Sequence, residues 1–214
     1  MIDRIAGFQR LRQLPALFRG SDLTLRMGLK SATASQMLWR WKHAELVAPL
    51  GGRSDVYANL LVAPQPQWDV AARMAMPSCV VIGIEALRRA GWVTQIPIRP
   101  ELAAREDRPV YTSIAPFAVE TRPASWFEAV RPALPDSGDA APTLPPAWAL
   151  ADLLVPRGWD VAGLAPDDVD FDLASDSDRE QWAQACEALG LDSIELEEAA
   201  ERFCTARSVS ALHL

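Results

Sequence analysis

Histidine and cysteine are scarce in this 214-residue chain, which has 2 His and 3 Cys. Cys79, Cys186 and Cys204 are widely spaced and form no Cys-x-x-Cys pair, and only His43 and His213 stand beside them. This spacing does not fit a structural zinc site. The cysteines therefore read as small buried hydrophobes. Glycine-rich phosphate loops are missing as well: there is no such loop followed by Lys and Ser or Thr, no Gly-x-Gly-x-x-Gly and no Gly-x-Ser-x-Gly elbow. No apolar run approaches the roughly 18 residues that span a bilayer. Asp3, Arg4 and Arg10 break up the N-terminus in a way unlike a signal peptide. The expectation is a cytoplasmic protein with no membrane partner, no metal, no cofactor and no catalytic residues.

Hydrophobic residues make up 50% of the chain, charged residues 23%, and there are 8 Trp, which is enough apolar material for a sizeable packed interior. The net charge of −7 is unevenly distributed. Residues 1–62 carry 9 Lys plus Arg against 4 Asp plus Glu, a net +5; residues 63–150 carry −1; residues 151–214 carry 15 acids against 4 bases, a net −11. A polyanion responds to the field of the face it docks on, so the first third is the part suited to nucleic acid.

Apolar residues at Ile2, Ile5, Phe8, Leu11, Leu14 and Leu17 or Phe18 recur at helical spacing, with Pro15 ending or bending that helix. Gly20-Ser-Asp22 breaks the chain and caps a short helix whose apolar side is Leu23, Leu25, Met27 and Leu29. Ser31 is the expected N-cap of the next helix, Ser31–His43, in which Ala34, Leu38 and Trp41 face the core with Met37 beside them. Small and hydrogen-bonding residues on its outer side, followed by Arg and Lys, suit insertion into the major groove. Residues 46–50 and 56–60 flank Gly51-Gly-Arg53 and read as a hairpin, a two-stranded wing with Arg53 near its tip. The candidate DNA contacts are Lys30, Ser31, Thr33, Gln36, Arg40, Lys42 and Arg53. Trp39 projects to the side in this reading and is expected to pack on a neighbouring domain or a second subunit rather than on DNA.

Ala63-Pro-Gln-Pro-Gln67 reads as a linker, placing a first domain at 1–62 and a second at 63–214. In the second, helices are expected over Trp68–Met76, Cys79–Ala90 with Gly91 just past its end, and Ala147–Val155. A strand or extended segment is expected over Trp92–Ile98, and strands over Pro109–Ile114 and Phe117–Arg122, the last two as a hairpin. Pro132–Ala147, with its prolines, reads as an exposed loop. Ser177–Glu180 caps a helix that Gly190 ends, and Asp192–Glu195 opens a final helix to about Cys204. The fold class is α+β: an N-terminal winged helix-turn-helix followed by a mixed α/β C-terminal domain.

Arg19–Leu61 together with the run Ile82–Pro97, including Ala86-Leu87 and Gly91, and with Ala149-Leu-Ala-Asp-Leu-Leu154, resembles the AbiEi-type antitoxins of bacterial type IV toxin-antitoxin systems. The resemblance implies a winged helix that binds its own promoter and represses it, and a second domain that counteracts a nucleotidyltransferase-like toxin. Thr33, Gln36, Arg40 and Arg53 would then be the DNA contacts. Double-stranded operator DNA and a toxin encoded nearby would be the partners, with the oligomeric state open. Two other readings stand beside it: a winged helix that docks a protein without DNA, and a metal-dependent nucleotidyl-transfer site built on Asp170 and Asp172 if Val169–Leu173 is a strand.

Overall fold

The computed structural model describes residues 2–190 and Glu201. The expected final helix from Asp192 to about Cys204, with its Asp192–Glu195 cap, lies outside the described residues apart from Glu201, as does His213. The described chain is mixed α+β, with eight α-helices and two three-stranded sheets. It divides into two compact units: residues 1–78 with 110–119 and 139–141, and residues 79–109 with 120–138 and the chain from 142 on.

The first unit begins with α1 (Ile2–Arg12) and β1 (Leu17–Arg19). The helix expected to reach Leu17 or Phe18 therefore stops early, because Pro15 lacks the N–H that a helix interior requires. Phe18 is fully buried all the same, from a strand. Asn59 compensates the end of α1. It is fully buried, and its Nδ2 donates to the Leu11 carbonyl at 2.8 Å and the Leu14 carbonyl at 3.1 Å, acceptors that a terminating helix leaves over.

Next come α2 (Gly20–Leu25), α3 (Ser31–His43), β2 (Val47–Pro49), β3 (Val56–Asn59) and α4 (Trp68–Ala75). The expected hairpin is present, but it belongs to a three-stranded sheet in the order β1-β3-β2. Phe18 stands opposite Tyr57 and Ala48 opposite Ala58, both pairings antiparallel. Leu11, Leu14, Phe18, Leu23, Ala34, Met37, Trp41 and Val47 form its core. Leu25, expected on the apolar side of α2, is 81% exposed. Gly20 is required by close approach, since a Cβ there would collide with the Asp55 carboxylate. Asp55 takes the Ser21 N–H on that carboxylate at 3.0 Å and the Gly20 N–H on its carbonyl at 2.9 Å.

In the second unit Cys79–Ala90 is not one helix. It is β4 (Val80–Ile82) followed by α5 (Gly83–Arg89). Three consecutive β-branched residues favour the strand. Gly83, at φ +68, opens the helix where a Cβ would strike the Glu101 side chain. Gly91, at φ +83, follows the Ala90 C-cap as its position predicts.

Trp92–Ile98, expected as a strand or extended segment, forms no strand, and Ile96 and Ile98 are exposed. Pro97 and Pro100 cannot donate to a ladder, and pairing starts immediately beyond them in β5 (Glu101–Arg105). The second sheet runs β4-β5-β6, with β6 at Ala118–Arg122. The expected hairpin partner, Pro109–Ile114, is no strand. Its buried end makes a single bridge from Ile114 to Gly51.

Helices α6 (Ala124–Val130), α7 (Pro146–Ala162) and α8 (Asp176–Leu189) complete this unit. Pro146 occupies the first turn of α7, where a missing N–H is harmless. Leu150, Leu153 and Leu154 are buried as their spacing requires. The Pro-rich segment before α7 is not wholly exposed: Ala141 and Leu144 are buried, and the Leu144 N–H donates to the Val81 carbonyl at 2.9 Å. The cap of α8 lies two residues ahead of its expected place, as a Ser175–Asp178 box, and Gly190 at φ +71 ends the helix. Trp92, Trp126, Trp148, Trp159 and Trp182 are all buried in this core. Trp126 Nε1 donates at 2.7 Å to Asp152, whose other carboxylate oxygen accepts from Arg122 at 3.3 Å, so a buried acid is hydrogen-bonded and paired.

Candidate nucleic-acid interface

The candidate site rests on how α2 and α3 are joined. Gly28 at φ +64 turns the chain, the Leu29 N–H donates to the Leu23 carbonyl at 3.2 Å, and Lys30 is extended. Lys30 is then the N-cap of α3, its carbonyl accepting the Ala34 N–H at 2.9 Å, and Ser31 is the first helical residue rather than the cap. Ala34, Met37 and Trp41 are buried and Leu38 is half-buried, so the helix presents the opposite side outward.

All seven candidate contacts, Lys30, Ser31, Thr33, Gln36, Arg40, Lys42 and Arg53, are exposed. They do not form one patch on α3. At about 100° per residue, Thr33, Gln36 and Arg40 share one flank of its outward side, while Ser31 and Lys42 fall on the other. Arg53 sits in the β2–β3 turn at φ +65, beside Gly51 at φ +100 and Gly52 at φ +59. A left-handed non-glycine residue is uncommon, and here it follows two glycines in a tight turn.

Thr33, Gln36 and Arg40 line a cleft whose other wall is Phe8 and Arg10 of α1. Arg10 reaches back to the Met37 sulfur at 3.9 Å, and Arg12 lies over the Phe8 ring at 5.0 Å. These α1 residues were not among the sequence candidates. The helical period placed Phe8 in the core, yet it is only half-buried. α3 carries no acid, and its last turn holds Arg40, Lys42 and His43. Cations there also complement the helix dipole, a purely structural benefit.

Trp39 is 60% exposed and, with His43, lines the same cleft that Phe8 and Arg10 of α1 wall. Its indole lies on the His43 ring, with centroids 3.9 Å apart, and His43 Nδ1 donates to the Trp39 carbonyl at 3.0 Å. Beside the sheet, burial and then the nearby Asp55 carboxylate hold the Tyr57 phenol above its ordinary range.

The acidic segment does not build the strand that a two-metal site would use. Pro166–Asp168 and Phe171–Leu173 are single 3-10 turns, and their acids cap them: Asp168 accepts the Ala165 N–H at 2.8 Å and Asp170 accepts the Asp172 N–H at 3.2 Å. Among the described residues no cluster of three or more His, Cys, Asp or Glu side chains is disposed to hold a metal ion. Cys79 is buried and Cys186 half-buried, neither in a disulfide, and burial pushes the Cys186 thiol up. Among the described residues no helix is long and apolar enough to cross a membrane.

No protein-family model matches the chain, and no curated protein does. A crystal structure of the RV2827C protein from Mycobacterium tuberculosis is similar to it, with a TM-score of 0.54 and 15% sequence identity, over 92% of this chain and 80% of that one. At that identity the likeness concerns the fold alone: this chain is an α+β protein folded like the mycobacterial protein over nearly its whole length.

Proposed function

We propose that this protein is a sequence-specific DNA-binding regulator whose first 62 residues form a winged helix-turn-helix, with α2 and α3 as the two helices and the β2–β3 hairpin as the wing. The observation that carries the reading is α3 itself: its core side is apolar, its outward side is free of acid, and every residue assigned to DNA is exposed. Thr33 and Gln36, in the first two turns, are short enough for close approach to base edges. Arg40 and Lys42 on opposite flanks suit the two phosphate walls of a groove. Arg53 at the hairpin tip suits the backbone or the minor groove. The resemblance to AbiEi-type antitoxins extends the proposal to repression of its own promoter and to a second domain that counteracts a nucleotidyltransferase-like toxin.

Selection from a random pool of short duplexes tests this reading. The full chain should enrich a common sequence, Gln36→Ala should relax the preference at a defined position by about 1–3 kcal/mol, and Arg40→Ala should weaken binding to all duplexes about equally. Failure to enrich any sequence would refute it. A second reading, a module that docks a protein, is favoured by one observation, the exposed indole of Trp39. On that reading binding to duplex would be absent or indifferent to sequence.

A further inference from the structure

The outward side of α3 is centred on a strip with Thr33 and Arg40 along one edge, Ser31 and Lys42 along the other, and Gln36 on the strip itself. With Ala34, Met37 and Trp41 inward, a rotation of about 100° per residue puts Ala32, Gln36, Trp39 and His43 along the middle of the opposite side. Trp39 is therefore not at the side of the helix, where the sequence placed it. Among the described residues it is the one aromatic side chain counted with the exposed large hydrophobics. At 60% exposure it leaves on the order of 100 Å² of ring in water. Its conformation is fixed locally: the His43 ring covers one face at 3.9 Å, and His43 is tethered through Nδ1 to the Trp39 carbonyl. A large apolar group held ready in the middle of a polar, acid-free helix face calls for an apolar feature on an otherwise anionic partner.

Duplex DNA has one such feature in its major groove, the thymine 5-methyl group. The spacing fits. Trp39 lies three residues beyond Gln36, about 4.5 Å along the helix axis, and adjacent base pairs are about 3.4 Å apart. A helix reading one base pair with Gln36 thus brings Trp39 to the next. We propose that Trp39, braced by His43, is the thymine-reading residue of this protein, which makes its operator preference depend on a thymine methyl beside the base pair that Gln36 contacts. The inference rests on the proposed DNA-binding function and names what that same face recognises.

The test uses the full chain and a duplex it has selected, compared with the same duplex carrying deoxyuridine for every thymine, a change that deletes only the 5-methyl groups. Wild type should bind the uracil duplex about four-fold or more weakly, the factor that one buried methyl supplies. Trp39→Ala should bind the thymine duplex more weakly and lose the difference between the two, while Trp39→Phe should keep part of it. Equal thymine-to-uracil ratios for wild type and Trp39→Ala overturn the proposal, as does a wild type indifferent to the substitution. If Trp39 instead joins two copies of the chain, Trp39→Ala will change the mass in sedimentation and weaken both duplexes equally, which also overturns it. If wild type selects no duplex at all, the DNA-binding reading fails first, and the proposal with it.

Discussion

Removing the Asn59 carboxamide should loosen the first unit, because that side chain ties the end of α1 to the sheet. It is fully buried and donates to the Leu11 and Leu14 carbonyls at 2.8 and 3.1 Å. Leu11 and Leu14 are themselves buried, so water cannot take over. The Leu11 carbonyl also accepts the Leu14 N–H at 3.1 Å, so it keeps one donor when Asn59 is truncated, while the Leu14 carbonyl loses its Asn59 donor. An orphaned buried acceptor costs about 1–3 kcal/mol, so Asn59→Ala should destabilise by about 2–4 kcal/mol, a large part of the roughly 5–15 kcal/mol typical of a domain. Stability differs between regions of a structure, so the assay is one that resolves the two units: native-state hydrogen exchange read by peptide. Peptides covering residues 8–19 and 56–61 should exchange about 30-fold or more faster, the factor for about 2 kcal/mol, with peptides of α7 and α8 unchanged. Asn59→Asp, of the same shape but without the donor, should do at least as much. Unchanged protection in either variant would refute the role given to this hydrogen-bond pair.

Further outcomes follow from single contacts. Gly20→Ala should destabilise the first unit by about 1–3 kcal/mol, since its Cβ meets the Asp55 carboxylate and the Asp55 bonds to the start of α2 must shift; native-state hydrogen exchange of peptides covering residues 17–26 would read it. In the second unit, burial pushes the Glu85 carboxyl up, but hydrogen bonds from Arg88 and Arg89 outweigh it and hold it below its ordinary range. A depressed folded-state pKa gives stability that is present above the unfolded value of 4.5 and is lost as pH falls through the folded one. A melting-temperature profile should therefore fall at acid pH, and Glu85→Gln should flatten that fall while lowering stability near neutrality. Arg53→Ala should weaken binding to all duplexes about equally and reduce the salt slope by about 1, as expected of a phosphate contact; a change in sequence preference would instead assign it to the bases.

Local patterns carried the first third of the chain well. The core side of α3 was readable because three turns of helix repeat it, and the hairpin because Gly51-Gly52 marks a tight turn between two apolar runs. Residue types with several possible roles were less legible. Val80-Val-Ile82 fits a helix by hydrophobicity and a strand by branching, and only pairing with Leu102 and its neighbours decides it. The 3-10 turns at Asp168 and Asp170 use acids as caps, which alternation along the sequence cannot distinguish from a strand. Asn59 stands in a strand, and its role depends on carbonyls more than forty residues away. In the candidate site, exposure of all seven residues was legible, whereas the cleft wall from Phe8 and Arg10 depends on how α1 lies beside α3. Trp39, two residues before Trp41, lies about 160° around the helix from it, which puts it in the middle of the outward side and not at the edge expected from the sequence.

The central claim is that the acid-free outward face of α3 and the hairpin tip engage the DNA backbone. It is tested most directly by the salt dependence of binding to a selected duplex. Lys30, Arg40, Lys42 and Arg53 are four exposed cations on that surface, and each phosphate neutralised contributes about −0.9 to the slope of log K against log salt. The account predicts a slope near −3.6 for each bound chain, or on the order of a hundred-fold loss of affinity between about 50 and 200 mM salt. A slope near zero, with affinity unchanged in the fourfold variant of these residues to alanine, would contradict it.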